Sequence, residues 1–160
     1  MPLDPTRSLQ ETFAPTNRCF GCGHANEKGL RIQSFATEDS ADATLVCDWT
    51  PEKHHQAFEG ILNGGIIGAL LDCHMAWTAM FHKMHRDGLD HAPCCVTADF
   101  KVILKRPTPL GPIHMDARVV SSDGKRVLVE ATMSAGGEVT ALGSGTFVAV
   151  KPGHPAYHQW

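Results

Sequence analysis

The segment GILNGGIIGALLDCHMAWTAM, residues Gly60 to Met80, is apolar almost end to end and carries one carboxylate, Asp72, in its middle. Asn63 can cap a helix by accepting a free first-turn amide, and HRDGLD downstream supplies basic residues and then a glycine stop. The pattern therefore predicts a helix of about six turns from Asn63 to Arg86. Its internal glycines weaken intrinsic helical preference, so packing must hold it. A helix apolar nearly all round has to be covered on more than one side, and the rest of the chain must supply that cover.

The flanking segments read as strands. Leu30 to Phe35 and Asp42 to Trp49 favour extended structure and are joined by the turn TEDSAD, which predicts a hairpin. After the helix, VTADFKVILK alternates, with Val96, Ala98, Phe100, Val102 and Leu104 facing one way and Thr97, Asp99, Lys101 and Lys105 the other. PTPLGP breaks the chain, and IHMDARVV, RVLVEATM and VTALGSGTFVAV follow, separated by the turns SSDGK and SAGGE. The expected fold class is α+β: one curved antiparallel sheet wrapped around one long central helix. At 160 residues the chain suits one core. Residues 1–29 form an N-terminal extension with a Cys/Gly-rich loop, 30–150 the domain, and 151–160 a tail.

Composition narrows the function classes. With 42% hydrophobic residues, 19% charged and a formal net charge of -3, the chain offers no overall attraction to nucleic acid or anionic lipid. The start MPLDPTRSLQ has acidic and proline residues where an export signal needs a basic start and an apolar run. The expectation is a cytoplasmic protein without a membrane span, its six cysteines kept as thiols.

At about 100 degrees per residue, Asp72 shares a helix face with Gly65, Gly68, Ala69, Ala76 and Ala79. Ile67, Leu70, Leu71, His74, Trp77 and Phe81 fall on the opposite and flanking faces, suited to the concave side of a sheet. An ionised carboxylate buried among small residues costs several kcal/mol unless it is paired or lines a cavity open to water. Gly64 and Gly65 leave the first amides of the helix unshielded at the positive end of its dipole, where a carbonyl oxygen gaining negative charge can lodge. The alternative is a glycine-rich turn needed only for backbone geometry. Eight residues of about 1.5 Å rise separate Gly64 from Asp72 by roughly 12 Å, too far for both to act on one carbonyl. Two such helices lying antiparallel across a two-fold axis would bring Gly64 of one chain near Asp72 of the other, which predicts a composite site at a homodimer interface.

LNGGIIGALLDCHMAWTA, together with CFGCGHANEKGL and FKVILKRPTPLG, resembles the PaaI-like acyl-CoA thioesterases of the hotdog fold. The likeness runs from about Cys19 to Val150. It implies that the Gly64 amide, with Gly65, polarises a thioester carbonyl, and that Asp72 attacks it or activates water. Asn63 stands where many members have histidine; it keeps the cap and removes an imidazole. The resemblance further implies a homodimer or a dimer of dimers. Coenzyme A is part of the substrate and no separate cofactor is required. Lys101, Lys105 and Arg106 would hold the coenzyme A phosphates, the alternative being a solvated sheet edge. A hotdog dehydratase or isomerase and a noncatalytic acyl-thioester binding protein remain as competing readings.

Cys19, Cys22 and His24 in CFGCGH are spaced as metal ligands, but a structural site wants four donors and no second compact pair follows. A redox pair is a further reading, and a loop of partly buried thiols without metal is favoured over both. Asn26 and Gly29 read as turn residues in the same loop. His74 sits about 200 degrees around the helix from Asp72, so it reads as a buried imidazole under the sheet, and Cys73 as a small core residue. His54, His55 and Glu59 fall on a loop before the helix.

Overall fold

The structure, a computed structural model, describes residues 2–157, so Met1 of the extension and residues 158–160 of the tail lie outside the described residues. A short helix α1 (Leu9–Phe13) precedes the strands β1 (Phe35–Ala36) and β2 (Leu45–Trp49). A 3-10 turn at Lys53–His55 leads into a small hairpin, β3 (Gln56–Phe58) and β4 (Ile61–Leu62), turned at Gly60 with φ 78. The central helix α2 (Gly64–Arg86) follows, and then β5 (Cys95–Leu104), β6 (Ile113–Asp123), β7 (Arg126–Ala135) and β8 (Glu138–Ala149). The main sheet runs β1-β2-β6-β7-β8-β5 with every neighbour antiparallel, which leaves β1 and β5 at its edges.

This is the α+β arrangement expected, with α2 lying against the concave face of the sheet. By length and composition alone α2 could cross a membrane. Its apolar surface is instead spent inside the fold, where Leu70, Leu71, Met75 and Trp77 are almost fully buried against Leu45, Met115, Met133 and Phe147. Each such side chain contributes roughly 1.5–3 kcal/mol. That outweighs a cost of about 1 kcal/mol for each helical glycine. The helix ends at Arg86, beyond which Gly88 turns with φ 62 and the Leu89 amide donates back to the Met84 carbonyl.

His74 is fully buried under the sheet, as its position on the helix predicts. Its Nε2 lies 3.0 Å from the Leu45 carbonyl, so that nitrogen carries the proton. Nδ1 then accepts from the Ser34 hydroxyl at 2.9 Å, and Ser34 accepts in turn from Gln10 Nε2 at 3.0 Å. Burial pushes the imidazole down to about 4, so it is neutral at ordinary pH. The network ties the lead-in to the core, where Leu9 and Ala14 are also buried.

Two sequence expectations change. Residues 30–34 are not strand, because the Leu30 and Ile32 amides donate to the carbonyls of Phe20 and Gly21 and Arg31 turns left-handed with φ 51. Backbone committed to the cysteine loop cannot pair with β2, and the first strand shrinks to Phe35–Ala36. The alternation in β5 also breaks. Thr97 pairs with Phe147 but Asp99 pairs with Thr146, so Ala98 is an extra residue in a bulge. Thr97 therefore shares the helix-facing side with Phe100, Val102 and Leu104, which pair with Gly145, Gly143 and Ala141.

Candidate active site

The start of α2 is built by Asn63, whose side chain accepts from the Ile66 amide at 3.1 Å while its carbonyl accepts from Ile67 at 3.1 Å. The Gly64 and Gly65 amides are then the first-turn donors left for another acceptor, and both residues are exposed. The surroundings are fixed from both sides: the Leu62 amide donates to the Thr108 carbonyl, and Leu110 to Gly60. A Cβ on Gly65 would lie 3.0 Å from the capping oxygen of Asn63, whereas one on Gly64 would make ordinary contact with Leu104 Cδ1 at 3.5 Å.

Two turns further along, Asp72 is half-buried, and its Oδ1 accepts a hydrogen bond of 2.7 Å from the Thr97 hydroxyl. Burial holds this carboxyl above the usual carboxylate range; the Thr97 bond pulls the other way, and the nearby Cys19 adds to the rise. Gly65, Gly68, Ala69 and Ala76 lie on the accessible side of α2 with Asp72, while Ala79 is fully buried and does not share it. The face is rimmed by β5, where Phe100 is 44% exposed and Leu104 56%. In a single chain the region is an open surface of small residues beside an unpaired apolar strand edge.

The basic residues stand along β5 and just beyond it, all exposed. Lys101 faces the outer side of the sheet, in a depression shared with Ile103, Glu130 and Ser144. The Lys105 amide donates to the Thr140 carbonyl, and the Arg106 guanidinium pairs with Glu138 at 2.8 Å. His55 accepts the Glu52 amide at its Nδ1 and packs on Trp49 with ring centroids 5.2 Å apart, so it serves the turn before the helix.

The structure also brings together residues that spacing kept apart. The ligand atoms of Cys19, Cys22 and Cys73 all lie within 4.8 Å of one another, with the Cys19 and Cys73 sulfurs 3.7 Å apart. His24 is outside the cluster, and its carbonyl accepts from the Arg31 guanidinium. Cys73 packs against the core, as expected of it, and also borders this cluster. The signal in the sequence was the pair of glycines between and after the cysteines. A Cβ on Gly21 would lie 2.3 Å from Cys73 Sγ, and one on Gly23 would meet the Cys19 backbone at 2.5 Å. Only glycine lets this loop press on the helix. Asn26 and Gly29 do fix the turn expected of them, Asn26 Oδ1 accepting the Lys28 amide and its carbonyl the Gly29 amide.

A single long helix packed against an antiparallel sheet in this order defines a hotdog domain. The sequence model of the Thioesterase superfamily matches residues 59–142, more than half of the chain, and the chain belongs to that superfamily. No curated protein matches the sequence significantly. Among solved structures, a thioesterase from Haemophilus influenzae aligns with TM-score 0.68 at 14% identity, covering 83% of this chain and 90% of its own. The PaaI protein of the phenylacetic acid degradation operon of E. coli aligns with TM-score 0.63 at 14% identity, covering 76% and 81%. A phenylacetic acid degradation-related protein from Ralstonia eutropha, described as a putative thioesterase, gives 0.63 at 21%, covering 75% and 86%. At these identities the likeness is one of fold.

Proposed function

We propose that the protein is a PaaI-like acyl-CoA thioesterase that works as a homodimer, or a pair of dimers, with each active site shared between two chains. The observation that carries this reading is the half-buried Asp72, pinned by Thr97 on a face of small residues that one chain leaves open. The thioester carbonyl oxygen lodges at the Gly64 and Gly65 amides of one chain, at the positive end of α2, where the charge developing in the tetrahedral intermediate is stabilised. Asp72 of the partner subunit takes a proton from water as the water oxygen bonds to the carbonyl carbon. Collapse of the intermediate breaks the carbon–sulfur bond, and the proton passes to the departing coenzyme A thiolate. Asp72 is equally placed to attack the carbon itself and form an anhydride that water then opens. Neither route calls for a cofactor. Lys105, just beyond the end of β5, offers positive charge to the coenzyme A phosphates, whereas Lys101 is turned to the outer side of the sheet, and the thiols suit a reducing cytoplasm.

Free-thiol release across a panel of aromatic, short and long acyl-CoA compounds tests the reading, with Asp72→Asn beside the wild type. The amide keeps the size of the side chain and loses its charge, so turnover should fall at least about 100-fold in a folded variant. Binding of acyl-CoA without thiol release by the wild type would make the protein a carrier, and hydration or isomerisation of an enoyl-CoA would place it with the dehydratases and isomerases. A well-folded Asp72→Asn protein with undiminished hydrolysis would end the case for this carboxylate.

A further inference from the structure

The three sulfurs beside the helix call for an explanation of their own. Cys47, Cys94 and Cys95 are buried outside this cluster, as small apolar side chains are. Cys19 is exposed, so packing does not account for it, and Cys73 and then Cys22 lie behind it in order of access to solvent. The loop is shaped to gather them. The Cys19 amide donates to Asn17 Oδ1 at 2.7 Å, Asn26 Nδ2 donates to the Arg18 carbonyl, and the Leu30 and Ile32 amides clamp Phe20 and Gly21. Glycines at 21 and 23 allow an approach that any side chain would block. This is a backbone arranged in advance around a cluster, with its hydrogen bonds spanning two to eleven residues.

We infer that Cys19, Cys22 and Cys73 form a binding site for one thiophilic divalent cation of the zinc type, held by three thiolates with the fourth ligand drawn from solvent on the exposed Cys19 side. Geometry favours it: sulfurs of a tetrahedral site with Zn–S bonds of about 2.3 Å stand about 3.8 Å apart. The Cys19 and Cys73 sulfurs are already 3.7 Å apart. Binding releases the thiol protons to solvent and leaves the filled site with one net negative charge, so affinity rises with pH. The donor set selects zinc, or cobalt as its spectroscopic substitute, over magnesium or calcium, which take oxygen ligands. The site is separate from the proposed hydrolysis and stands or falls without it.

The test uses the full chain, reduced and stripped with chelator, titrated with Co2+ and then Zn2+. The expected result is one Co2+ per chain with thiolate charge-transfer absorption and the intense visible bands of a tetrahedral centre, both bleached by stoichiometric Zn2+. Cys19→Ser, Cys22→Ser and Cys73→Ser should each lose at least about tenfold in affinity, the loss that follows even from removing a residue that supports a ligand, together with the charge-transfer intensity of one thiolate. Cys95→Ala, outside the cluster, should keep both. Cys19 is exposed, so its variant decides the matter where the buried replacements unfold. Absence of the cobalt–thiolate bands in reduced wild-type protein would overturn the proposal. So would bands that survive Cys19→Ser unchanged, or a disulfide within the cluster whose reduction yields thiols that take up no ion.

Discussion

Thr97 reaches Asp72 from a strand position that regular alternation would turn away from it. Its hydroxyl donates to Asp72 Oδ1 across 2.7 Å because the extra residue Ala98 brings Thr97 onto the same side of β5 as Phe100. The bond gives the carboxylate a fixed orientation and leaves its other oxygen for a water or a substrate.

Removing that hydroxyl should be felt in catalysis before it is felt in folding. A hydrogen bond to a charged group is worth about 1.5–3 kcal/mol, so Thr97→Val is expected to lower turnover by about tenfold or more. Thr97→Ser should restore most of it. Steady-state kinetics with thermal unfolding on the same preparations will show whether kcat moves while Tm and KM stay near wild type, and unchanged turnover in Thr97→Val would show that the bond is only structural.

Gly64→Pro deletes one of the two proposed oxyanion donors with little disturbance of the helix. Proline is accommodated at the first helical position, and Asn63 already has the extended backbone, φ -62 and ψ 133, that the residue before a proline requires. Turnover should drop by one to two orders of magnitude, about the effect of losing an oxyanion donor. Mixed with Asp72→Asn chains under conditions that exchange subunits, the inactive pair should recover activity, because a mixed dimer holds one site free of both substitutions. Failure to recover in demonstrated heterodimers would show that Gly64 and Asp72 do not meet across the interface.

The exposed apolar edge predicts association. Phe100→Lys with Leu104→Lys puts two charges where β5 and the small face of α2 meet, and sedimentation should show the wild type as a dimer or larger and the variant as a monomer without thiol release. A compact wild-type monomer that hydrolyses thioesters would refute the shared site.

His114 supplies a pH dependence remote from the helix. Its Nδ1 lies 2.7 Å from Asp48 and its Nε2 3.1 Å from Asp116, which joins β2 to β6. The Asp48 bond, aided by Asp116 and opposed by slight burial, raises the imidazole above its ordinary value. The unfolded chain titrates near 6.5, so the stabilisation is whole below about that pH and is lost as pH rises through the raised folded value. The Tm difference between wild type and His114→Gln should accordingly be largest in mild acid and vanish in mild alkali. A difference constant with pH would mean that the charge contributes nothing. The ring is partly exposed, so the effect should be small.

The central helix was legible to the residue at its start and its last turn, because a cap, a glycine stop and a long apolar run each mark it independently. The sheet was legible as a set of strands. Its exceptions were not, since a bulge at Ala98 leaves no residue signature and simply moves the phase of one half of β5. The segment 30–34 has the composition of a strand, but its amides were already claimed by a loop ten residues earlier, a competition that local pattern cannot display. Asp72 stood out as a charge in an apolar run. Its partner Thr97 was hidden by the shifted alternation. Cys73 was hidden too, by its separation of 54 positions from Cys19.

The bulge also makes Ala98 spare length. With it removed, Thr97 still falls opposite Phe147 and Phe100 opposite Gly145, so both halves of β5 keep their inward sets. Loss of one codon at Ala98 would therefore shorten the strand and preserve its message. The same loss at Val102 would reverse the facing of one half of the strand. Within a single strand, the gene has one position that tolerates a change of reading length and neighbours that do not.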